Sequence, residues 1–474
     1  MTSRRPRLFK PPHHQAHSYR PPTAGYQVGS APPPHLAAPL PADYNPGQNM
    51  PFTRTARPPG QPGTARAKDV LGQLSGWGTP SAPVTNQRDA CDTRGMDTDY
   101  RKKQLRLRIA RSLRRQGFRL HDGRILPPDP TDKQQLRRLH EEAVRHRVAL
   151  ARAGLARHEE HLLTRIAAGS EVTPEHIRPC LVEVRPGSED ELLFRYARLH
   201  WSIPVSAGYG RRLRFVVYDE TNGKLIGLFG LGDPVFSLGP RDRWIGWDLE
   251  QKKARLQCVM DLFVLGAVPP YSQLLCGKLI ALLATSREVQ CAFHRKYHGE
   301  RAFISEKKLD GRLALLTTTS ALGRSSLYNR LAYRGQPVFH SVGFTRGSGE
   351  FHFSNGFYAD LRELALEHCH ATAKHARWGI GFRNKRELLR KALPLLGLSR
   401  ELVYHGVQRE IFVAPLARNA VAFLRGEHRR LLGYGPAADE LFAWFRERWL
   451  LPRAARDQIW RAFDPESYRL WRSP

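Results

Sequence analysis

The chain has 474 residues, enough for two or three domains, and its apolar fraction of 41% supports a sizeable core. Its 75 Lys and Arg exceed its 44 Asp and Glu, and the formal charge of +31 indicates a polyanionic partner, most commonly nucleic acid. The alternative is that arginine merely replaces lysine in a GC-rich genome, but such replacement would not raise the net charge. No apolar run approaches the roughly 18 residues of a membrane span and no signal-peptide core is present, so the sequence excludes a membrane-spanning class and we expect a cytoplasmic protein.

Residues 1–95 are predicted to form a disordered arm. They hold 17 of the 35 prolines, with Gly, Ala, Thr, His and Arg between them. Such a composition cannot bury enough apolar surface to offset the entropy of ordering the chain.

Residues 96–176 are predicted to be a basic helical segment. Apolar residues recur at helical spacing, with a break at the Pro-rich residues 126–130, after which Thr131 or Asp132 is placed to cap a second helix. Residues 101–166 contain 18 Lys or Arg against 7 Asp or Glu. This density predicts phosphate contact; the alternative is a solvated helical face.

Residues 177–360 are predicted to be an α+β core with a mixed sheet and flanking helices. Asn222 and Gly223 indicate a hairpin turn, and the pair Pro269-Pro270 ends an apolar strand because it removes two backbone donors. The expected strands are 213–218, 225–230, 261–268, 313–318, 338–344 and 350–353, and the expected helices are 274–288 and 325–331.

Residues 361–474 are predicted to be a mostly helical, Arg- and Trp-rich extension, with a strand at 407–414 and a helix at 416–425. Its last part interleaves tryptophans with arginines. That pattern suits stacking on bases, and equally a helical tail that docks its tryptophans on the core.

Five sequence blocks resemble the DruA family of the Druantia anti-phage defence systems. The resemblance covers residues 178–474 and implies a bacterial defence protein that acts with other defence proteins; an accessory role for a mobile genetic element stays open. The blocks are RDRWIGWD (241–248), VMDLFVLGAVPPYS (259–272), TTTSALGRSSLYNRL (317–331), APLARNAVAFLRGE (414–427) and RAFDPESYRLW (461–471).

The order of elements in the core is also similar to that of GNAT acyltransferases. The resemblance implies that residues 261–268 are a splayed strand whose backbone faces the pantetheine of a CoA thioester, and that residues 271–278 are the phosphate loop. Gln273 and Gly277 fit that loop, whereas Leu274, Cys276 and Lys278 stand where the family prefers glycine. The cofactor therefore stays unknown, and the alternative function is a CoA-dependent N-acyltransferase with Tyr328 as the acid.

Asp261 and His340 are the other candidate catalytic residues. Asp261 opens an apolar strand and is either a general base with a raised pKa or an exposed strand-end carboxylate. His340 is either a proton shuttle or a structural strand histidine, and Tyr328 is either an acid or a buried tyrosine.

Polar groups at the strand ends are the candidate ligand-binding residues. Arg241 and Asp242 form either a structural pair or a phosphate contact, while Trp244 and Trp247 either stack on a ring or fill the core. A cup for an anion is predicted, with helix capping by a serine as the alternative. The cysteines have no zinc-type spacing, so no metal site is expected. The predicted cup consists of Thr318, Thr319, Ser320, Arg324 and Ser325.

Overall fold

The computed structural model describes residues 89–205, 210–302, 306, 308–354, 356–371, 382–433 and 435–471. The predicted arm lies outside the described residues except for its last seven, which belong to the first helix. The described helices are α1 (Asp89–Arg115), α2 (Lys133–Leu155), α3 (Glu159–Leu163), α4 (Glu189–Ala197), α5 (Gly239–Ile245), α6 (Leu249–Arg255), α7 (Cys276–Leu283), α8 (Arg287–Tyr297), α9 (Ser326–Asn329), α10 (Phe357–His368), α11 (Phe382–Leu395), α12 (Ala420–Leu424), α13 (Ala438–Phe445) and α14 (Leu451–Arg456). The described strands are β1 (Leu120–His121), β2 (Arg124–Ile125), β3 (Pro179–Glu183), β4 (Arg212–Asp219), β5 (Lys224–Gly232), β6 (Val259–Ala267), β7 (Leu315–Thr319), β8 (Ala332–Tyr333), β9 (Gln336–Pro337), β10 (His340–Phe344) and β11 (Glu410–Pro415).

Seven strands form one mixed sheet in the order β10-β11-β7-β6-β5-β4-β3. Neighbouring strands run antiparallel except β6 and β7, which are parallel and pair through Val259–Asp261 and Leu315–Thr317. Helices flank this sheet, so the predicted α+β class with a mixed sheet is confirmed.

Both faces of the sheet are buried. This explains why its central strands carry unbroken runs of apolar residues and do not simply alternate apolar with polar residues. The α7 face carries Leu213 and Leu316 and packs against α7 and α8. The α5 face carries Val216 and Val264 at one end and Val413 at the other, where α5 packs. Every candidate side chain on the sheet therefore belongs to one of these two faces.

A separate helical cluster is built from α1, α2, α10 and α11. Ile109, Leu136, Leu361 and Leu388 are all fully buried within it. The sequence-predicted cap of the second helix is confirmed, because Oδ1 of Asp132 accepts hydrogen bonds from the first backbone amides of α2.

Two predicted elements of the core are wrong. The helix expected at 274–288 is interrupted, because the hydroxyl of Thr285 bonds a carbonyl of the preceding turn and Arg287 bonds the backbone of Pro436 instead of continuing the helix. The strand expected at 350–353 is a 3-10 helix, in which the buried ring of His352 bonds the carbonyl of Leu402.

The C-terminal residues return to the start of the core and close it. Trp460 is fully buried in the core on the α7 face, and the carboxylate of Glu159 accepts hydrogen bonds from the backbone amides of Leu470 and Trp471. The hydroxyl oxygen of Tyr196 lies 2.8 Å from both the carboxylate of Glu159 and the backbone carbonyl of Tyr468, and its one proton lies between these two acceptors. For the tryptophans at 460 and 471, the structure favours docking on the core over stacking on bases.

Gly169 marks the tightest approach between this tail and the core. A Cβ at this position would lie 2.3 Å from the backbone carbonyl oxygens of Trp460 and Arg461. We expect Gly169→Ala to lower the free energy of unfolding by about 2 kcal/mol or more, because backbone atoms must move apart. Urea denaturation measures the change.

Gly277→Ala is the matched control for that substitution. No atom lies within 4 Å of a Cβ at Gly277, which is a helical residue of α7. Alanine there should be neutral or stabilise the protein by about 0.5–1 kcal/mol through helix propensity. Equal effects of the two substitutions would contradict this account of the tail.

Candidate functional site

The Arg241-Asp242 pair is an internal structural element of α5. Arg241 is fully buried, and its guanidinium donates to Oδ1 of Asp242 from Nε at 2.9 Å and from Nη2 at 2.6 Å. It also donates to the backbone carbonyls of Val235 and Phe236, each at 3.0 Å. A ligand phosphate has no open approach to a guanidinium so enclosed, so the geometry favours the structural alternative.

Asp242 also holds Trp247, one of the two candidate tryptophans. Its Oδ1 accepts a hydrogen bond from the indole of Trp247 at 3.2 Å, and its Oδ2 accepts one from Lys252 at 3.3 Å. Trp247 is buried in the core, whereas Trp244 is half-buried with its ring centre 6.2 Å from that of His340. Only Trp244 keeps part of its ring accessible for stacking.

Asp261 and His340 lie in one row across the α5 face of the sheet. Asp261 pairs with Thr317, Thr317 with Val413, and Val413 with His340. The hydroxyl of Thr317 donates to Oδ1 of Asp261 at 3.0 Å. Burial raises the pKa of Asp261 to about 6, against the lowering effects of that hydrogen bond and of the Arg241 charge.

Tyr328 belongs to the opposite, α7 face. Its ring packs 4.7 Å from that of Phe339 and 5.1 Å from that of Phe412, and burial raises its pKa to about 12. Thr318, which hydrogen-bonds Tyr328, also donates its hydroxyl to the carbonyl of Leu262 at 2.9 Å. The phenol is therefore protonated at neutral pH and enclosed by aromatic rings.

The three candidate catalytic side chains do not converge. Asp261 projects from the α5 face of the sheet, whereas Tyr328 lies on α9 and packs against the α7 face, although the charge of Asp261 still contributes to raising the pKa of Tyr328. Asp261 and His340 are three strands apart, which corresponds to roughly 14 Å at a strand spacing of about 4.8 Å. This separation exceeds the reach of direct proton transfer between them.

The residues predicted to form an anion cup are divided between surface and interior. Thr319 and Arg324 are exposed, whereas Ser320 is buried. Ser325 caps α9, since its hydroxyl accepts a hydrogen bond from the amide of Tyr328 at 3.2 Å. For Ser325 the capping alternative is confirmed.

The anion beside α9 is the chain's own Glu410. This buried carboxylate accepts hydrogen bonds from the amide of Ser325 at 3.1 Å, the side chain of Asn329 at 2.8 Å and the hydroxyl of Ser341 at 2.8 Å. The hydroxyl of Ser320 accepts a hydrogen bond from the backbone amide of Glu410 at 3.0 Å. Glu410, which lies 85 positions after Ser325, therefore bonds two of the five residues of the predicted cup, Ser320 and Ser325.

The loop predicted to hold a CoA phosphate is closed by its own hydrogen bonds. The carbonyl of Gln273 accepts a bond from Arg453 at 3.0 Å, and the ammonium of Lys278 lies 4.9 Å from the ring centre of Trp449. A phosphate loop needs amides directed outward. Here the backbone amides that bond to carbonyls within the loop or just before it are those of Ser272, Gln273, Leu274, Leu275, Cys276 and Lys278.

Trp201 lies against β6 beyond the residues where β6 pairs with β7. Within these two described strands, pairing stops after Asp261 and the rest of β6 diverges from β7. The indole of Trp201 donates to the carbonyl of Leu265 at 3.2 Å, and a Cβ on Gly266 would lie 2.6 Å from its ring. The indole of Trp201 therefore bonds the backbone of the strand that was expected to face pantetheine.

Three buried histidines form a cluster that the sequence did not indicate. Nε2 of His140 lies 2.9 Å from a guanidinium nitrogen of Arg409, and the rings of His352 and His405 are 5.5 Å apart. Burial lowers the pKa values of His140, His352 and His405 to about 3, 4 and 2, so all three are neutral. Because the three histidines lie far apart in the sequence, no local motif indicated that they would form a cluster.

The α2 groove is the basic concave surface of the predicted helical segment. It has a volume of about 350 Å³ and is bounded by α2 and the segment containing Ser202. Arg137 and Arg138 are exposed along it, and Arg145 pairs with Glu141 at 3.7 Å. The residues that define the groove are Gln134, Arg137, Arg138, Glu141, Val144, Arg145 and Ser202.

The described part of the chain contains no group of three or more His, Cys, Asp or Glu side chains arranged to hold a metal ion. None of its helices combines the length and the apolar character that a bilayer crossing requires.

The buried carboxyl of Asp261 has a consequence for stability. Because its pKa is raised in the folded protein, the folded state binds more protons than the unfolded state between about pH 4 and pH 6, and the free energy of unfolding falls as pH rises through this window. We expect Asp261→Asn to remove that fall and to stabilise the protein at pH 7 by about 2 kcal/mol. Urea denaturation across the pH range measures it.

Glu300→Gln is the control for this prediction, since Glu300 is an exposed carboxylate in a loop. That variant should keep the pH dependence of the unmodified protein. An Asp261→Asn variant that is less stable at pH 7 would show that the ionised carboxylate supports the fold.

Comparison with known proteins places the chain in a family. A family model described as Druantia protein DruA matches residues 130–426. Druantia protein DruA of Escherichia coli (strain UMEA 4076-1) is 39% identical over 379 residues, which cover 80% of this chain and 92% of that protein. None of the solved structures compared matches the chain. On the length and identity of these matches, the chain belongs to the DruA family.

Proposed function

We propose that this protein is the nucleic-acid-binding component of an anti-phage defence system and that it contacts phosphates through the α2 groove. The defence role rests on membership of the DruA family. Other proteins of the same system are the expected protein partners. The nucleic-acid role rests on the basic, concave character of the groove together with the net charge of +31.

The groove carries the proposal because its arginines are available to solvent. Arg137 and Arg138 stand on the outer side of α2, opposite the buried Leu136 and Leu139. Guanidinium groups match phosphate geometry through two parallel hydrogen bonds, and each phosphate contact releases counterions into solution. Such a surface binds a polyanion without reading its sequence.

A second row of basic residues on α1 supports the same role. Lys103, Arg111 and Arg114 recur at helical spacing on the side of α1 that faces away from the buried Leu105 and Ile109. Basic residues on two neighbouring helices enlarge the electropositive surface beyond the groove itself.

We further propose that the core is a GNAT-like scaffold whose acyl-transfer site has been altered. What supports the likeness is the parallel β6–β7 pair that opens after three residue pairs. What supports the alteration is the indole of Trp201, which bonds the Leu265 carbonyl beyond the last β6–β7 pair, and the inward-bonded loop before α7. The core then serves to hold the basic helices in place.

Neutralising the groove should weaken nucleic-acid binding. We expect the triple variant Arg137→Gln, Arg138→Gln, Arg145→Gln to lose about tenfold or more in affinity for a labelled duplex, and the slope of log affinity against log salt to become shallower by about 2–3. Fluorescence anisotropy between about 50 and 200 mM salt measures both quantities.

The matched control is Arg334→Gln, which removes an exposed arginine that pairs with Glu440 at 3.6 Å away from α2. Its affinity should stay close to that of the unmodified protein. An affinity that does not depend on salt, or an equal loss of affinity in the control variant, would contradict the nucleic-acid proposal.

The altered acyl-transfer site leads to a separate expectation. Acetyl-CoA at millimolar concentration should leave the melting temperature unchanged, because six amides of the loop already bond to nearby carbonyls and Trp201 bonds the backbone of β6 beyond its pairing with β7. Differential scanning fluorimetry measures this. A rise of several degrees would restore the acyltransferase alternative.

A further inference from the structure

A second cavity, which we call the α8 cavity, lies where α8 meets two segments of irregular chain. It has a volume of about 250 Å³ and is lined by Gln290 and His294 of α8, by residues 311–313 before β7 and by parts of the segment 430–433 after α12. None of these residues belongs to the α2 groove or to a site predicted from the sequence. The cavity therefore has no part in the function proposed above.

One buried amide fixes the walls of the α8 cavity. The side-chain nitrogen of Gln290 donates to the carbonyls of Leu313 and Leu416 at 3.0 and 3.1 Å. The side-chain oxygen of Gln290 accepts a hydrogen bond from the backbone amide of Gly435 at 2.8 Å. This side chain is 3% exposed, and it joins α8 to the chain on both other sides of the cavity. The cavity is therefore a fixed part of the fold.

The segment 430–433 is held in a similar way, by Asn419. The side-chain amide of Asn419 donates to the carbonyl of Arg430 and accepts from the backbone amide of Leu432, each at 2.8 Å. The carbonyl of Leu432 accepts a further bond from the backbone amide of Arg418 at 3.2 Å. A wall that is already ordered lowers the entropy cost of binding a ligand against it.

Two guanidinium groups line the cavity. Nη1 of Arg312 donates to the carbonyl of Arg429 at 2.5 Å, and Nη2 pairs with Asp310 at 2.8 Å. The guanidinium carbon of Arg312 also lies 4.7 Å from the ring centre of Phe423, so the group is held in place while most of its five N–H donors remain for a ligand. Arg430 is exposed and has no carboxylate partner within the described residues.

The balance of charge around the α8 cavity is positive. The described residues that line it include two arginines and His294 but no acidic residue. Asp310 offsets one guanidinium through its pair with Arg312. A third guanidinium is close by, since Nε of Arg418 would lie 3.8 Å from a Cβ at Gly433. This balance favours an anionic ligand.

The remaining walls suit a planar ring. Leu313 is buried and Leu431 is half-buried, so both present aliphatic surface. The imidazole of His294 is stacked on that of His298, with ring centres 4.5 Å apart and an angle of 26° between the planes. Histidine rings and aliphatic side chains of this kind pack against the faces of nucleobases.

We infer that the α8 cavity binds a free nucleoside monophosphate. The base packs against His294 and the two leucines, and the phosphate pairs with Arg312 and Arg430 through charge-assisted hydrogen bonds. The volume lies near the lower end of the range for small-molecule sites, about 300–1,000 Å³, which favours one nucleotide over a longer strand. The inference does not depend on the proposed function, because different residues hold the two ligands.

Isothermal titration calorimetry of the full chain tests this inference. AMP, GMP, CMP and UMP are compared with their nucleosides and with inorganic phosphate. At least one monophosphate should bind about tenfold tighter than its own nucleoside and than inorganic phosphate, because only the complete ligand contacts both the ring-binding wall and the arginines.

Two substitutions of exposed residues locate the site. Arg430→Gln should weaken binding of that monophosphate about tenfold and spare its nucleoside, because the charge-assisted hydrogen bond is lost. His294→Ala should weaken it by a similar factor, about tenfold, and spare inorganic phosphate, because the stacking contact is lost. The melting temperature of each variant shows that it is folded.

Arg295→Gln is the matched control. Arg295 follows His294 on α8 and is exposed, but it pairs with Glu183 at 3.2 Å and does not line the cavity. Its variant, and the triple variant of the α2 groove, should bind the monophosphate like the unmodified protein.

Three outcomes would overturn the inference. They are no binding of any monophosphate at millimolar concentration, equal affinity for the monophosphates and inorganic phosphate, and unchanged affinity in both Arg430→Gln and His294→Ala. None of them affects the proposed function, which is tested by salt-dependent binding of a duplex and by the α2 groove variant. Conversely, loss of duplex binding would leave the mononucleotide site standing if the calorimetry gives the expected pattern.

Discussion

Three residue pairs between β6 and β7 hold the two halves of the sheet together. On one side lie β3 to β6, and on the other β7, β11 and β10. Because the pairing is so short, the junction depends on what surrounds it. The hydroxyl of Thr318 bridges to the carbonyl of Leu262 where pairing ends, and Trp201 bonds the backbone of β6 further along. The candidate residues of both faces are arranged around this junction.

Local patterns of the sequence predicted most strands but not the residues that meet across the sheet. Alternating apolar residues and the Asn222-Gly223 turn located β4 and β5, since those signals depend on neighbours in the chain. The division of the helix before residue 288 depends instead on a bond to Pro436, which is distant in sequence. For the same reason the sequence did not indicate the role of Glu410. This residue follows an ordinary loop, and its hydrogen-bond donors lie on α9 and β10, far from it in the chain.

Charge counted along the sequence does not reveal which arginines remain available to a ligand. Arg241 stands in the most distinctive motif of the chain, yet it is buried and stabilises a loop. Arg137 and Arg138 stand in an unremarkable helix and are exposed. The difference is decided by packing, because a guanidinium with internal acceptors is withdrawn from solvent while one on the outer side of a helix is not.

The return of the C-terminal residues to Glu159 constrains how the protein is made. Glu159 and Tyr196 obtain their backbone partners from residues near position 470, and Trp460 completes the core on the α7 face. Leu470 is synthesised 311 residues after Glu159, so the nascent chain cannot complete this part of its core until that later segment has emerged from the ribosome. The apolar surface that Trp460 covers stays exposed until then, and chaperones and proteases can recognise a chain in that state as incomplete.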